Sequence, residues 1–460
     1  MHTLNALTLA EKIRRRDLTA LEVTKHTLER ITTDPNNCFL DTTPETALDA
    51  ATALDAQLER GDCPSLLAGV PIAIDDTILV RGDRCTAGSR MLDTFKAPFS
   101  ATVIEKIRAA GLIPIGRTNT DEFGVGNSGD TCWHGSTPNP RDPAATTGGA
   151  AAAIASRLVP LALCSDSIGA QRKHAALTGT VFLKPTYGRV SRFGLIAYVP
   201  SAEQIGAAAA NIHDAAALLN IISGHDPRDG TSLPDTSEPP ITLTSRNGLA
   251  GMRVGIATDW WTLSQQPDTL RRVSTHLSEL DARVQEYALP PRYANLVKLG
   301  PLALTVIAAA EGCNNFSRYD GLKFGHRPQT GTSLDDIYFG SRSEGFGYEV
   351  KKTILLGSYV LAQQQYEKYY LQALKIRRLI HQHLTEALQQ FDCLLLPVSP
   401  TLDRQKDVTA GAKPSLKDML CTAPASLAGL PAVAGTAGIQ LVAGSRGEQH
   451  LYDAWAALSG

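Results

Sequence analysis

The sequence has no excess of either charge sign. Lys and Arg number 44 and Asp and Glu 46, a formal charge of −2 over 460 residues. That even balance lacks the broad positive field that non-specific nucleic-acid binding uses, so there is no direct nucleic-acid signal. Aromatic residues are few, at 6%. No run of 18 apolar residues free of charge occurs. The best candidate, 150–164, is broken by Arg157 and Pro160, which argues against a membrane partner. Charges from Glu11 to Arg16 stand where a signal peptide would need its apolar stretch. Eight cysteines, at 38, 63, 85, 132, 164, 313, 393 and 421, form no CxxC pair. They read as reduced thiols of a cytoplasmic protein, not a disulfide or zinc framework. The eleven histidines form no HxxxH or HExxH arrangement. Gly148–Gly149 lacks the Lys-Ser/Thr that completes a phosphate loop, so no metal and no cofactor is expected.

What is present is apolar content of 43%, enough for a substantial core. Leu9, Ile13, Leu18, Leu21, Val23, Leu28 and Ile31 recur at helical spacings, and Thr19 with Glu22 forms a capping-box pattern. A further amphipathic helix is predicted over 44–59. From Leu67 short apolar runs, at 69–74, 112–116 and 159–163, alternate with Ala-rich or charged helical segments. That alternation predicts βα units around a mixed, largely buried sheet flanked by helices, an α/β fold. Residues 225–250, rich in Pro, Asp, Ser and Thr, read as a surface connection. A new strand is expected at 252–257, a helix then a strand over 266–290, helices over 301–390 and a strand in 391–401. The expected organisation is one domain over 1–460: a helical segment to about 60, then a core over about 65–225 and 250–460.

The densest cluster of small residues and hydroxyls lies at 142–170, where backbone amides can approach a ligand closely. Around it stand LAGVPIAIDD (67–76), TAGS (86–89), IGRTNTDEFG (115–124), TPNPRD (137–142), LKPTYGRVSRFGL (183–195) and QIG (204–206). In that order they resemble the amidase signature family. GHDPRDGTS (224–232), SRYDGLKFGHR (317–327) and SEGFGYEVKK (343–352) make the chain similar, within that family, to the A subunits of glutamyl-tRNA(Gln) amidotransferases. The likeness runs from residue 1 to about 440, with a shortened C-terminus after AGLPAV (428–433). It implies a mixed central sheet covered by helices on both sides.

The resemblance also implies a Ser–cis-Ser–Lys triad, in which a neutral lysine draws a proton through one serine from another that attacks an amide carbonyl. Backbone amides of a glycine turn hold the oxyanion. Carried onto this sequence, the lysine position is Asp75 in GVPIAIDD, the cis-serine position is Thr146 in AATTGGA, and the nucleophile position is Ala170 in SDSIGA. Ile168 replaces a glycine of the oxyanion turn, beside Ser167 and Gly169. The family arginine falls on Thr353 and the glutamine-holding aspartate on Met419, with Asp418 one residue away. Losing one triad member typically costs about 10⁴- to 10⁶-fold in rate. The expectation is a pseudoenzyme with a degenerate catalytic triad that binds a ligand or protein partner and hydrolyses no amide. The alternative is rebuilt non-hydrolytic chemistry, a condensation, cyclisation or proton transfer in a biosynthetic pathway, with Asp75 as acid or base.

Other residues of the pocket have plainer readings. Ser165, Asp166 and Arg172 are expected to hold the turn through hydrogen bonds and an ion pair, and Thr146 and Thr147 to satisfy nearby amides. Lys173 or His174 is expected to neutralise Asp75. Cys164 reads as a packed thiol, and His134 beside Trp133 as a partly buried histidine. The resemblance implies amidotransferase B and C subunits as partners, with another pathway protein or a small-molecule ligand left open.

Overall fold

The computed structural model describes residues 3–234, 239–244, 248–330, 333–400 and 416–459. Two extended segments pair as a small ribbon, β4 (Pro138–Asn139) with β5 (Asp142–Thr146). The other strands form one sheet of 11: β1 (Phe39–Thr42), β2 (Pro71–Asp75), β3 (Ile113–Thr118), β6 (Leu161–Asp166), β7 (Val181–Lys184), β8 (Gln204–Ala209), β9 (Arg253–Ala257), β10 (Arg283–Tyr287), β11 (Cys393–Pro397), β12 (Ala432–Ala434) and β13 (Ile439–Ala443). Their spatial order is β1-β3-β2-β6-β8-β7-β12-β13-β11-β9-β10. The sheet is mixed. β2 runs parallel to both β3 and β6, and β9 parallel to both β10 and β11. Between them, every neighbouring pair from β6 across to β11 is antiparallel.

Burial follows the apolar runs. Every residue of β2, β8, β11 and β13 is buried, whereas the edge strands β1 and β10 are half-buried or exposed. Side chains alternate as a pleated strand requires. Ile72 and Ile74 pack with Ile107, Leu218 and Tyr452 on one face. Ala73 packs with Val23, Ala51 and Ile154 on the other. Helices therefore cover both faces, as expected.

The Thr19–Glu22 box forms in both directions: the Glu22 amide donates to Thr19 Oγ1 (3.0 Å) and the Thr19 amide to Glu22 Oε2 (2.9 Å). The helix expected over 44–59 spans Pro44–Glu59. Four helices, Leu296–Phe316, Leu334–Gly345, Tyr348–Leu361 and Tyr370–Gln390, fill most of the 300s. The most apolar long helix is Pro291–Phe316, not the 150–164 stretch. It is long and apolar enough to cross a membrane, but 61% of its apolar window is buried in the protein, in the core with Phe123, Val350 and Ile380.

The connection over 225–250 is anchored where it begins. Asp226 accepts from Ser191 (2.7 Å) and from Thr102, and pairs with Arg228 (3.1 Å). Residues 235–238 and 245–247 of that connection, and Thr401 at the end of the expected 391–401 strand, lie outside the described residues.

Candidate active site

Parallel strands deliver their carboxyl ends to one edge of a sheet, and ligand crevices form there. β2 and β6 are such neighbours, with Ile74 opposite Leu163. The end of β2 carries Asp75, Asp76 and Thr77. The end of β6 carries Ser165 to Ala170 and runs into helix Ala170–Thr178. The ribbon strand β5 ends at Thr146, just before helix Gly149–Ala155. The three positions that the resemblance singles out therefore lie at the ends of β2 and β5 and at the start of helix Ala170–Thr178.

Asp75 and Asp76 point to different partners. Asp75 Oδ1 accepts the Thr77 amide (2.9 Å) and the Thr77 hydroxyl (2.7 Å). Burial pushes the Asp75 carboxyl up to about 6, against the opposing pull of the Thr77 bonds. Asp76 takes the buried cation: Arg117 Nε lies 3.5 Å from its Oδ1, while its Oδ2 accepts the amides of Thr86 and Gly88 and the Thr86 hydroxyl. Thr77 Oγ1 also lies 3.5 Å from the Oγ of Ser165, across the gap between β2 and β6.

The turn after β6 is held from behind. Arg172 Nε donates to Asp166 Oδ2 at 2.7 Å. Its other nitrogens reach the Thr422 carbonyl (2.9 Å), Gln440 (3.0 Å) and Ser426 (2.7 Å). The expected ion pair of the turn is formed. Gly169 has φ +95, and a Cβ there would fall 2.1 Å from Thr422 Oγ1, so only glycine fits. Thr422 Oγ1 donates to the Ile168 carbonyl (3.1 Å), and the Ile168 side chain is buried in an apolar cluster with Met419 and Cys421. Ser167 is buried beside it.

The two expected neutralising partners of Asp75 each meet another residue. Lys173 Nζ forms its ion pair with Asp418 instead, at 2.9 Å. This pair ties Asp418 to helix Ala170–Thr178. His174 Nδ1 lies 3.2 Å from Thr147 Oγ1. The reason is directional: Asp75 lies at the end of β2 and is engaged by Thr77, two residues on, while Lys173 and His174 lie one turn into the helix. Thr146 donates to the Ser128 carbonyl (2.6 Å), a carbonyl and not the amide expected. No cis peptide bond occurs among the described residues. Thr353 lies on helix Tyr348–Leu361 and bonds the Tyr198 phenol.

Burial pushes the Cys164 thiol well above the usual thiol range, so it is a packed thiol. All eight cysteines are free. His134 Nε2 lies 3.4 Å from Asp93, and exposed Trp133 lies under the Arg90 guanidinium (5.1 Å). Sequence reasoning missed Thr77 and Arg117. An aspartate followed two residues later by threonine at a strand end is an Asx-turn pattern, and that signal was available for Thr77.

Among similar proteins, the A subunit of the glutamyl-tRNA(Gln) amidotransferase of Coxiella burnetii (strain Dugway 5J108-111) is 40% identical over 445 residues, 94% of this chain and 90% of the relative. The crystal structure of the corresponding A subunit from Thermotoga maritima superposes with TM-score 0.77 at 29% identity, covering 99% of this chain and 94% of that one. A chain described as part of an unexpected vestigial protein complex that reveals the origins of an s-triazine catabolic enzyme superposes with TM-score 0.84 at 27% identity, covering 99% and 98%.

These relatives overturn the expectation of a pseudoenzyme acting only by binding. Similarity at 40% over nearly the whole chain, to proteins named as amidotransferase subunits, points to a functional enzyme. The expectation weighed the changed triad, the oxyanion-turn Ile168 and the changed glutamine-holding positions Thr353 and Met419, and took no account of the Asp75–Thr77–Ser165 contacts. Residues 22–447 match the amidase family, and the chain belongs to it.

Proposed function

We propose that this chain is the amide-processing component of a cytoplasmic amidotransferase-type assembly, working beside B- and C-like partner subunits. The observation that carries the reading is the 40% identity to named A subunits, spread over 94% of this chain and 90% of the relative. The crevice at the ends of β2 and β6 is where the amide is handled. Asp75, Thr146 and Ala170 border it, and the turn through Ser167, Ile168 and Gly169 supplies backbone amides for the oxyanion. Arg172 and Asp166 hold that turn in place through the bonds described above. Lys173 and Asp418 offer a cation and an anion side by side, groups that suit a zwitterionic amino-acid amide such as glutamine.

The test is ammonia release from glutamine, asparagine and simple amides by the purified chain, alone and with the B and C subunits of the Coxiella burnetii relative. Turnover of any of these amides is the expected result. No ammonia from any of them, with and without the partner subunits, would overturn the reading.

A further inference from the structure

Ala170 presents only a methyl group, so an attacking hydroxyl must come from elsewhere in the crevice. The geometry points to Ser165 as the nucleophile, activated through Thr77 by the Asp75 carboxylate. This rests on the amide-processing reading above.

Three observations carry it. The first is continuity. Thr77 Oγ1 lies 2.7 Å from Asp75 Oδ1 and 3.5 Å from Ser165 Oγ, so one hydroxyl bridges a carboxylate and a second hydroxyl. The second distance is long, as catalytic contacts often are before substrate binds. The second observation is polarity. An ionised carboxylate only accepts, so Thr77 gives its single hydroxyl hydrogen to Asp75 and leaves a lone pair toward Ser165. Ser165 must then be the donor, and the chain reads Ser165 to Thr77 to Asp75. The third observation is placement. Asp75 and Thr77 are buried, whereas Ser165 is partly exposed, so the end that meets substrate is the nucleophile. The buried cation nearby, Arg117, forms its ion pair with Asp76, while the Asp75 carboxylate keeps the two Thr77 bonds. Its carboxyl, raised to about 6 by burial, is ionised at neutral pH yet basic enough to accept a proton.

The chemistry balances. Ser165 Oγ bonds to the amide carbonyl carbon as its proton passes to Thr77, and the Thr77 proton passes to Asp75. The tetrahedral adduct collapses with cleavage of the C–N bond. The departing nitrogen takes the proton back along the same path, leaving an ester on Ser165. Water then adds to that ester, its proton entering the relay, and the C–Oγ bond breaks as Ser165 recovers a proton. One amide and one water become one carboxylic acid and one amine or ammonia.

The test uses the whole purified chain. It is treated with a fluorophosphonate probe and the adduct mapped by mass spectrometry, in parallel with the ammonia assay. The expected result is one adduct, on Ser165. Its rate rises with pH through about 6 and loses that limb in Asp75→Asn. Thr77→Val slows labelling by about 10²-fold or more, and Thr77→Ser restores it. Thermal unfolding of each variant checks that it is folded, and the wild-type adduct needs no variant at all. No adduct on Ser165, or amide turnover that survives Ser165→Ala, overturns the relay and leaves the amide-processing reading standing. An adduct on Ser165 in a chain that releases no ammonia upholds the relay and overturns that reading instead.

Discussion

Two buried carboxylates stand at the ends of neighbouring strands, Asp75 on β2 and Asp166 on β6, and their surroundings differ. Asp166 is bonded to a fully buried arginine whose remaining donors reach Thr422, Gln440 and Ser426. Asp75 is bonded to one threonine, while the adjacent arginine faces Asp76. A buried charge tied directly to its counter-charge is a fastener. A desolvated acid held by the amide and hydroxyl of one threonine, with that hydroxyl 3.5 Å from another, is a group whose protonation state can change in use. Compensation of charge, more than burial, separates the two carboxylates.

The difference can be broken most severely at Arg172. Arg172→Met leaves the Asp166 carboxylate buried without its cation, and a loss of about 3–5 kcal/mol is expected in urea unfolding at pH 7. Asp75→Asn should act in the opposite direction. The folded-state value near 6 lies above the ordinary 3.8, so Asp75 contributes stability that is complete below about pH 3.8 and lost as pH rises through about 6. At pH 8 the asparagine variant is expected to be the more stable protein, by up to about 3 kcal/mol, with no advantage at pH 3.5. Paired pH-dependent unfolding curves read this directly. Gly169→Ala sharpens the contrast from the backbone side. A methyl at φ +95, set against Thr422, should destabilise by about 2 kcal/mol or more in thermal unfolding. The smallest effect is expected at Thr422→Val, which removes the hydroxyl bond to the Ile168 carbonyl and costs about 1 kcal/mol by the same assay.

Much of the scaffold was legible in the sequence because it is written locally. The capping box at Thr19 and Glu22, the helix Pro44–Glu59 and the apolar runs that became β2, β3 and β6 each follow from residues within a few positions of one another. The half-buried edge strand β1 has no such run, and tertiary pairing with β3 defines it. The site divides the same way. Asp166 and Arg172 lie six residues apart across the strand-to-helix turn and were read as a pair, whereas Lys173 meets Asp418 only because the chain returns from far away. The relay was illegible for a different reason. The resemblance singles out Asp75, Thr146 and Ala170, and the hydroxyl at Thr77 has meaning only once β2 and β6 are known to be neighbours.

The most direct measurement is the rate of ammonia release from glutamine and simple amides across pH 4–9, for the native chain and for Asp75→Asn. Turnover that rises through about pH 6 in the native chain, and has no such limb in the variant, is the expected result. Silence of the native chain toward every amide across that range would contradict an amide-processing role, and an unchanged profile in the variant would contradict the part given to Asp75.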